Sequence, residues 1–314
     1  MMQVLRRVLA GCLVFLSCSA TNVFARNFSL PTDNQALIGQ SFASRALQGD
    51  TVASIAQRFN LGVNSILAAN PGLDENHSVP AGKVLHIPAE FLLPPLQRVG
   101  IVINLPEMRL YYFHPEDGQL MTFPIGIGKI GKTIPIIRTS VVRKKEHPVW
   151  IPPDSIRRYN EEQGIELPKV VPAGPDNPLG PFAIYLRVPT YLIHSTIFPE
   201  SIGRRASFGC IRMNEGDIEQ FFPLVKAGTP VEIIDMPNKI AWNENKLYLE
   251  SYPPLEERNN MASATLKGII KTIGSRIPLG GVTLIDWQLV SAIADQPDGI
   301  PHEIGFRTTG WLTR

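Results

Sequence analysis

The segment HSTIFPESIGRRASFGCIRM, residues 194–213, places a histidine and a cysteine sixteen positions apart. Cysteine attacks as its thiolate, and an imidazole or a nearby positive charge favours that form. His194 follows the apolar run Tyr191-Leu192-Ile193, and a strand end would hold it with little freedom, as suits a general base. Gly209 permits a tight bend before Cys210, and its peptide region could offer N–H donors to an oxyanion. Spacing alone does not bring the pair together. A buried inert cysteine and an ordinary surface histidine are the plain alternative.

Compartment bears on that choice. Residues 1–25 read MMQVLRRVLAGCLVFLSCSATNVFA, with Arg6 and Arg7 ahead of a short apolar run and Val23-Phe24-Ala25 at its end. That is the pattern of a cleaved secretory signal, and the apolar run is too short to span a bilayer. Lipid attachment at Cys12 or Cys18 is the competing reading, although too little apolar sequence precedes Cys12. Cleavage after Ala25 leaves Cys210 as the last of the three cysteines, with no partner for a disulfide. A free thiol kept in an oxidising exterior points to reactive chemistry. Cleavage also takes two of the 30 basic residues, leaving 28 against 28 acidic ones, so nothing argues for a nucleic-acid partner.

Three stretches invite other readings. His77, His86, His114, His147 and His302 have no zinc-box spacing. Gly126 to Lys132 reads GIGKIGK, which lacks the interval and helix context of a phosphate loop and suits a tight turn between strands. Arg143-Lys144-Lys145 reads as a solvated face in a Pro-rich insertion that could cap a groove.

The elements that must position the pair form a multidomain chain. Residues 26–40 look like a polar lead-in. Val52, Ile55, Ala56 and Phe59 lie at helical spacing with Asp50 or Thr51 as cap, and Val63, Ile66, Leu67 and Ala68 repeat the pattern up to Asn70-Pro71-Gly72. Val84 to Ile87 reads as a strand, and Ser41 to Leu47 could supply its partner. Leu92-Leu93-Pro94-Pro95 reads as a stiff link. Strands are predicted at Val99–Asn104, Arg109–Phe113, Leu120–Ile127, Val188–Ile193 and Pro230–Ile234, with a short helix near Glu215–Phe222, which makes a mainly β domain in a sandwich or small barrel. Residues 256–290 could form one or two helices, and GIPHEIGFRTTGWLTR after them carries no clear motif.

Residues 42–89, through GDTVASIAQRFNLGVNSILAANP and VPAGKVLHIP, resemble a LysM module, a βααβ unit whose family binds peptidoglycan or chitin glycan. Residues 97–235 resemble the YkuD-type L,D-transpeptidase family, whose signature is a histidine, a loop, and Ser-His-Gly-Cys followed by an aliphatic residue and Arg or Asn. The matching positions are His194, Ser207, Gly209, Cys210, Ile211 and Arg212, and PAGPDNPLGPFAIYL, residues 172–186, matches the family's approach to the histidine. The domains implied are a signal at 1–25, the LysM module at 42–89, a mainly β catalytic domain at 97–235 and a C-terminal α/irregular extension at 236–314.

The resemblance makes Cys210 the nucleophile and His194 its base. Ser195 would orient the imidazole through its carbonyl, Arg212 would position substrate, and Ser207 would shape the loop. Phe208 departs from the family histidine, which puts substrate preference in doubt more than reaction class, and Ser195 stands where glycine is common. The implied reaction is acyl transfer, with no cofactor and no metal. Cys210 attacks at the third residue of a peptidoglycan tetrapeptide stem and expels D-alanine. An amine of another stem or of an outer-membrane lipoprotein lysine then resolves the thioester. Water as acceptor would make an L,D-carboxypeptidase, and loss of the motif histidine leaves a non-catalytic wall-binding protein as the other class. The implied location is the periplasm.

Overall fold

A computed structural model describes residues 26–114, 116–132, 134–257, 264–278 and 282–308, so the segment expected to be a signal, with Cys12 and Cys18, lies outside the described residues. Among the described residues no helix is long and apolar enough to cross a membrane.

The module folds as its pattern requires. Thr51 caps the helix Val52–Arg58 in a reciprocal capping box with Ser54, and Val52, Ile55 and Ala56 turn inward. Val63 and Ile66 do the same for the helix Val63–Ala69. The strands Phe42–Arg45 and Val84–Ile87 pair antiparallel and complete the βααβ unit. Arg58 grips the buried Asp50 carboxylate with both terminal nitrogens, at 2.9 and 2.7 Å.

The catalytic region is a nine-stranded mixed sheet. Its order is Arg26–Ser29, Gln119–Pro124, Arg109–His114, Gly100–Asn104, Pro230–Ile234, Ile137–Glu146, Phe182–Leu186, Leu192–Ser195 and Ile211–Met213. One face carries the main core, in which Ile103, Leu110, Phe123, Ile184, Ile193 and Ile211 meet Phe221 of the helix Glu215–Phe221. Several sequence readings are corrected here. Arg26–Ser29 is not lead-in but the edge strand paired with Gln119–Pro124. The strand expected from Val188 begins only at Leu192, because Thr190 sits at φ 71°, a conformation no strand contains. Arg143-Lys144-Lys145 lies in a ten-residue strand, not an insertion, with Arg143 and Lys145 exposed and Lys144 donating to the Phe222 carbonyl at 2.5 Å.

The link between module and sheet is not a free tether. Leu92 and Leu93 are buried, and Val102, Tyr111, Phe113 and Leu120 on the sheet's other face share one core with Ile55, Ile66 and Phe91. A backbone contact tightens the docking. A Cβ on Gly203 would stand 2.4 Å from Gly62 Cα and 2.6 Å from the Val63 nitrogen. Gly203 also has φ 77°, so alanine there meets both strain and backbone that cannot yield. Gly72, at φ 86° with nothing within 4 Å of where a Cβ would stand, isolates the strain alone. Gly203→Ala should therefore cost about 2–4 kcal/mol in urea unfolding and Gly72→Ala about 1 kcal/mol. Equal losses would show that the interface yields.

The C-terminal part packs the helices Leu266–Arg276 and Trp287–Asp295 on a four-stranded antiparallel sheet, ordered Asn238–Asn243, Lys246–Ser251, His302–Thr308 and Val282–Ile285. The helices are legible in 256–290, whereas this sheet is not. A buried polar cluster joins it to the rest. Lys239 Nζ reaches Glu107 at 2.8 Å and Glu250 at 2.9 Å, Tyr111 donates to Glu107, and Glu250 also accepts the Leu92 N–H at 2.7 Å. Burial raises the Glu250 carboxyl to about 7, against the lowering pull of Lys239. One lysine thus ties the link, the catalytic sheet and the C-terminal sheet together.

Candidate active site

A parallel strand pair sets the His194 strand beside the strand that follows Cys210. Leu192–Ser195 runs beside Ile211–Met213 with Ile193 opposite Ile211 and His194 opposite Arg212. Side chains alternate along a strand, so Ile193, Ile211 and Met213 fill the core while His194 and Arg212 share the other face. Cys210 immediately precedes the strand Ile211–Met213, and the Arg212 charge acts on both the thiol and the His194 ring.

His194 is buried within its strand instead of capping its end. Its Nδ1 lies 2.5 Å from the Ser195 carbonyl oxygen. A carbonyl only accepts, so Nδ1 carries the hydrogen and Nε2 is left with its lone pair. Burial is the main reason the imidazole is lowered to about 4. The Arg212 charge adds to the lowering, and the Ser195 and Leu179 carbonyls do not offset it. At neutral pH the ring is an uncharged base.

Ser195 holds this arrangement with its side chain as well. Its Oγ accepts from the Phe182 N–H at 3.0 Å, and a Cβ on Gly180 would strike Ser195 Cβ at 2.5 Å. Only glycine lets the PLGPF turn lie this close. Buried Asn177 organises that turn by donating to the Pro148 carbonyl at 2.8 Å and accepting the Leu179 N–H at 2.9 Å.

The cysteine loop is set by Ser207 and Gly209. Ser207 Oγ accepts the Gly209 N–H at 3.0 Å and donates to the Cys210 carbonyl at 2.6 Å, closing the bend. The Gly209 N–H, expected as an oxyanion donor, is thereby engaged, and the glycine's contribution is its φ of 116° against Tyr191 and the Lys132 carbonyl. Cys210 is half-buried and its Sγ lies 3.7 Å from the carbonyl of Thr190. Burial raises the thiol above its ordinary value, and the Leu192 backbone hydrogen bond and the Arg212 charge only partly counter that. In the resting site the proton belongs to sulfur.

Phe208 sits in an aromatic cluster. Its ring meets Tyr159 edge-on at 5.0 Å, and Lys129 Nζ lies 3.6 Å from the Tyr159 ring centre and 4.0 Å from that of Phe208. Tyr159 belongs to the helix Asp154–Glu162, which buries no residue of its own. The Gly126–Lys132 turn is part of the site. Ile127–Gly128 pairs with Arg205–Ser207, and a Cβ on Gly128 would lie 3.2 Å from Gly209 Cα. Arg212 stands 5.6 Å from the Phe198 ring. Thr190, Lys129 and Tyr159 carry no sequence signal, since each acts through a backbone angle or a distant contact. Among the described residues no group of three His, Cys, Asp or Glu is placed to hold a metal ion.

Comparison with known proteins adds the following. A family model described as the L,D-transpeptidase catalytic domain, YkuD, matches residues 98–233, and a LysM domain model matches residues 47–88. A probable L,D-transpeptidase YcfS of Escherichia coli K12 is 42% identical over 241 residues, which is 74% of this chain and 75% of that protein. A probable L,D-transpeptidase ErfK/SrfK of the same organism is 40% identical over 80% of this chain and 82% of its own length. A third, YbiS, is 36% identical over 85% and 89%.

Proposed function

Because the chain belongs to the YkuD-type L,D-transpeptidase family, we propose that Cys210 is the nucleophile of an exported enzyme that rebuilds peptidoglycan stems, with His194 as its base. What supports the reading is the strand pairing that sets His194 opposite Arg212, two residues past Cys210, with the hydrogen fixed on His194 Nδ1 by Ser195.

The uncharged imidazole and protonated thiol define the order of events. His194 Nε2 takes the thiol proton as sulfur attacks the carbonyl of the L-centre at the third residue of a tetrapeptide stem. The tetrahedral intermediate collapses to a thioester, and His194 returns the proton to the departing D-alanine amine. An acceptor amine then attacks the thioester, gives its proton to His194 and leaves an amide, while the proton goes back to sulfur. Arg212, on the same face, suits substrate carboxylate or amide groups through its planar fork. Family and module together support a substrate in the wall and a protein in the periplasm.

The test supplies purified protein with a labelled tetrapeptide and an amine acceptor, either a second stem or a lysine peptide, and reads products by mass. Loss of D-alanine with joining to the acceptor is the expected result. Loss with addition of water would make the protein an L,D-carboxypeptidase. An unmodified thiol and no products would leave a non-catalytic wall-binding protein.

Phe208 bears on the second half-reaction. Packed against Tyr159 and under Lys129, its ring supplies an apolar wall beside the thioester, and water exclusion shifts hydrolysis toward amine transfer. Phe208→His should raise the ratio of hydrolysis to transfer several-fold with little change in acylation. A large gain in acylation at an unchanged ratio would show instead that Phe208 hinders activation of the thiol.

A further inference from the structure

The LysM module reaches the catalytic face. Its loop after the second helix is braced by Asp74, which accepts the Asn76 N–H at 2.9 Å and meets His77 Nδ1 at 2.6 Å. From this brace the Glu75 carboxylate extends to the guanidinium of Arg204, which lies on the segment joining His194 to Cys210. Glu75, Asn76, Phe198, Glu200, Arg204 and Arg212 line one cleft of about 520 Å³. The module thus forms one wall and the residue beside the thiol another.

The cleft's cations are incompletely matched. The Nε atoms of Arg204 and Arg212 are both buried without a hydrogen-bond partner. The Glu75–Arg204 pair is about one-third exposed on each side, where an ion pair is weak and exchangeable. A guanidinium fork accepts a second carboxylate with the same geometry.

We propose that this cleft is a subsite for a carboxylate-bearing peptide segment, bound by Arg204, and that Glu75 of the wall-binding module is an internal carboxylate occupying Arg204 until substrate displaces it. The module is then part of the active-site cleft, and Arg204 is a substrate-binding residue. The inference rests on the peptidoglycan reading above, which supplies an acidic peptide as substrate.

Binding is measured first, on the full chain carrying Cys210→Ala, so that the subsite is read independently of turnover. The probe is a stem tetrapeptide with its free side carboxylates, compared with the same peptide amidated at each of them. The free peptide should bind about 5- to 20-fold tighter. Arg204→Ala should abolish that preference by weakening only the free peptide, and Glu75→Gln should tighten the free peptide about 2- to 5-fold and leave the amidated one unchanged. In the active protein, KM for donor and acceptor peptides, each free or amidated, assigns the carboxylate to one of the two. Equal affinity for both peptides in wild type would overturn the proposal. So would Arg204→Ala weakening both alike, or Glu75→Gln weakening the free peptide. Absence of turnover with the carboxylate preference intact would instead count against the transpeptidase reading and leave the subsite standing.

Discussion

Cys210→Ala is expected to abolish acyl-enzyme formation, by at least about 10⁴-fold, while leaving the fold unchanged. The sulfur's partners are backbone groups, the Thr190 carbonyl at a long 3.7 Å and the Leu192 backbone, whereas the bend depends on Ser207 bonding the Cys210 carbonyl and the Gly209 N–H. These are backbone groups, and alanine keeps them. Unfolding stability should therefore move by less than about 1 kcal/mol, as for replacement of a half-buried side chain away from a packed core. The measurement pairs the mass shift after incubation with a carbapenem or a labelled tetrapeptide against a urea midpoint. A covalent adduct on the Cys210→Ala protein would place the nucleophile elsewhere.

What the sequence shows of this site follows how local each feature is. The capping box of Thr51 and Ser54 and the inward Val52, Ile55 and Ala56 are set within one helix, so the module is legible. The spacing of Ser207, Gly209 and Cys210 likewise encodes one bend. The docking of the module is different in kind. Gly62 and Gly203 touch across 141 positions, and neither glycine differs in local pattern from any turn glycine. Val102, Tyr111 and Phe113 can be read as strand residues, but which partner covers their outer face is a tertiary fact. The same holds for the C-terminal sheet, where Tyr248 pairs with Glu303 over more than fifty residues.

Docking changes what removal of the module would mean. Without residues 42–89 the sheet would expose apolar surface at Tyr111, Phe113 and Leu120, now buried with the module. A deletion then tests fold as much as glycan delivery.

His194→Ala should cut the acylation rate at pH 7 by about 10²- to 10⁴-fold and alter the shape of its pH dependence. In wild type, burial lowers the imidazole to about 4 and raises the thiol above its ordinary value, so the reactive form is the neutral pair. That form persists across the neutral range. The wild-type rate should stay level there and fall only as pH drops through about 4, where His194 gains a proton and can no longer accept one. A preformed thiolate–imidazolium pair would need the opposite shifts, with the imidazole raised and the thiol lowered. In His194→Ala the thiol must lose its proton to solvent before attack. With the ring gone, the thiol is expected to titrate nearer the free value of about 8.5. Below that value the variant's rate should rise about tenfold per pH unit. The deficit should thus be widest near neutrality and narrow toward pH 9. His194→Gln, which fills more of the volume, should show the same slope. A level rate for either variant between pH 6 and 8 would make His194 a bystander, because only a site that has lost its internal base depends on hydroxide to ionise the sulfur.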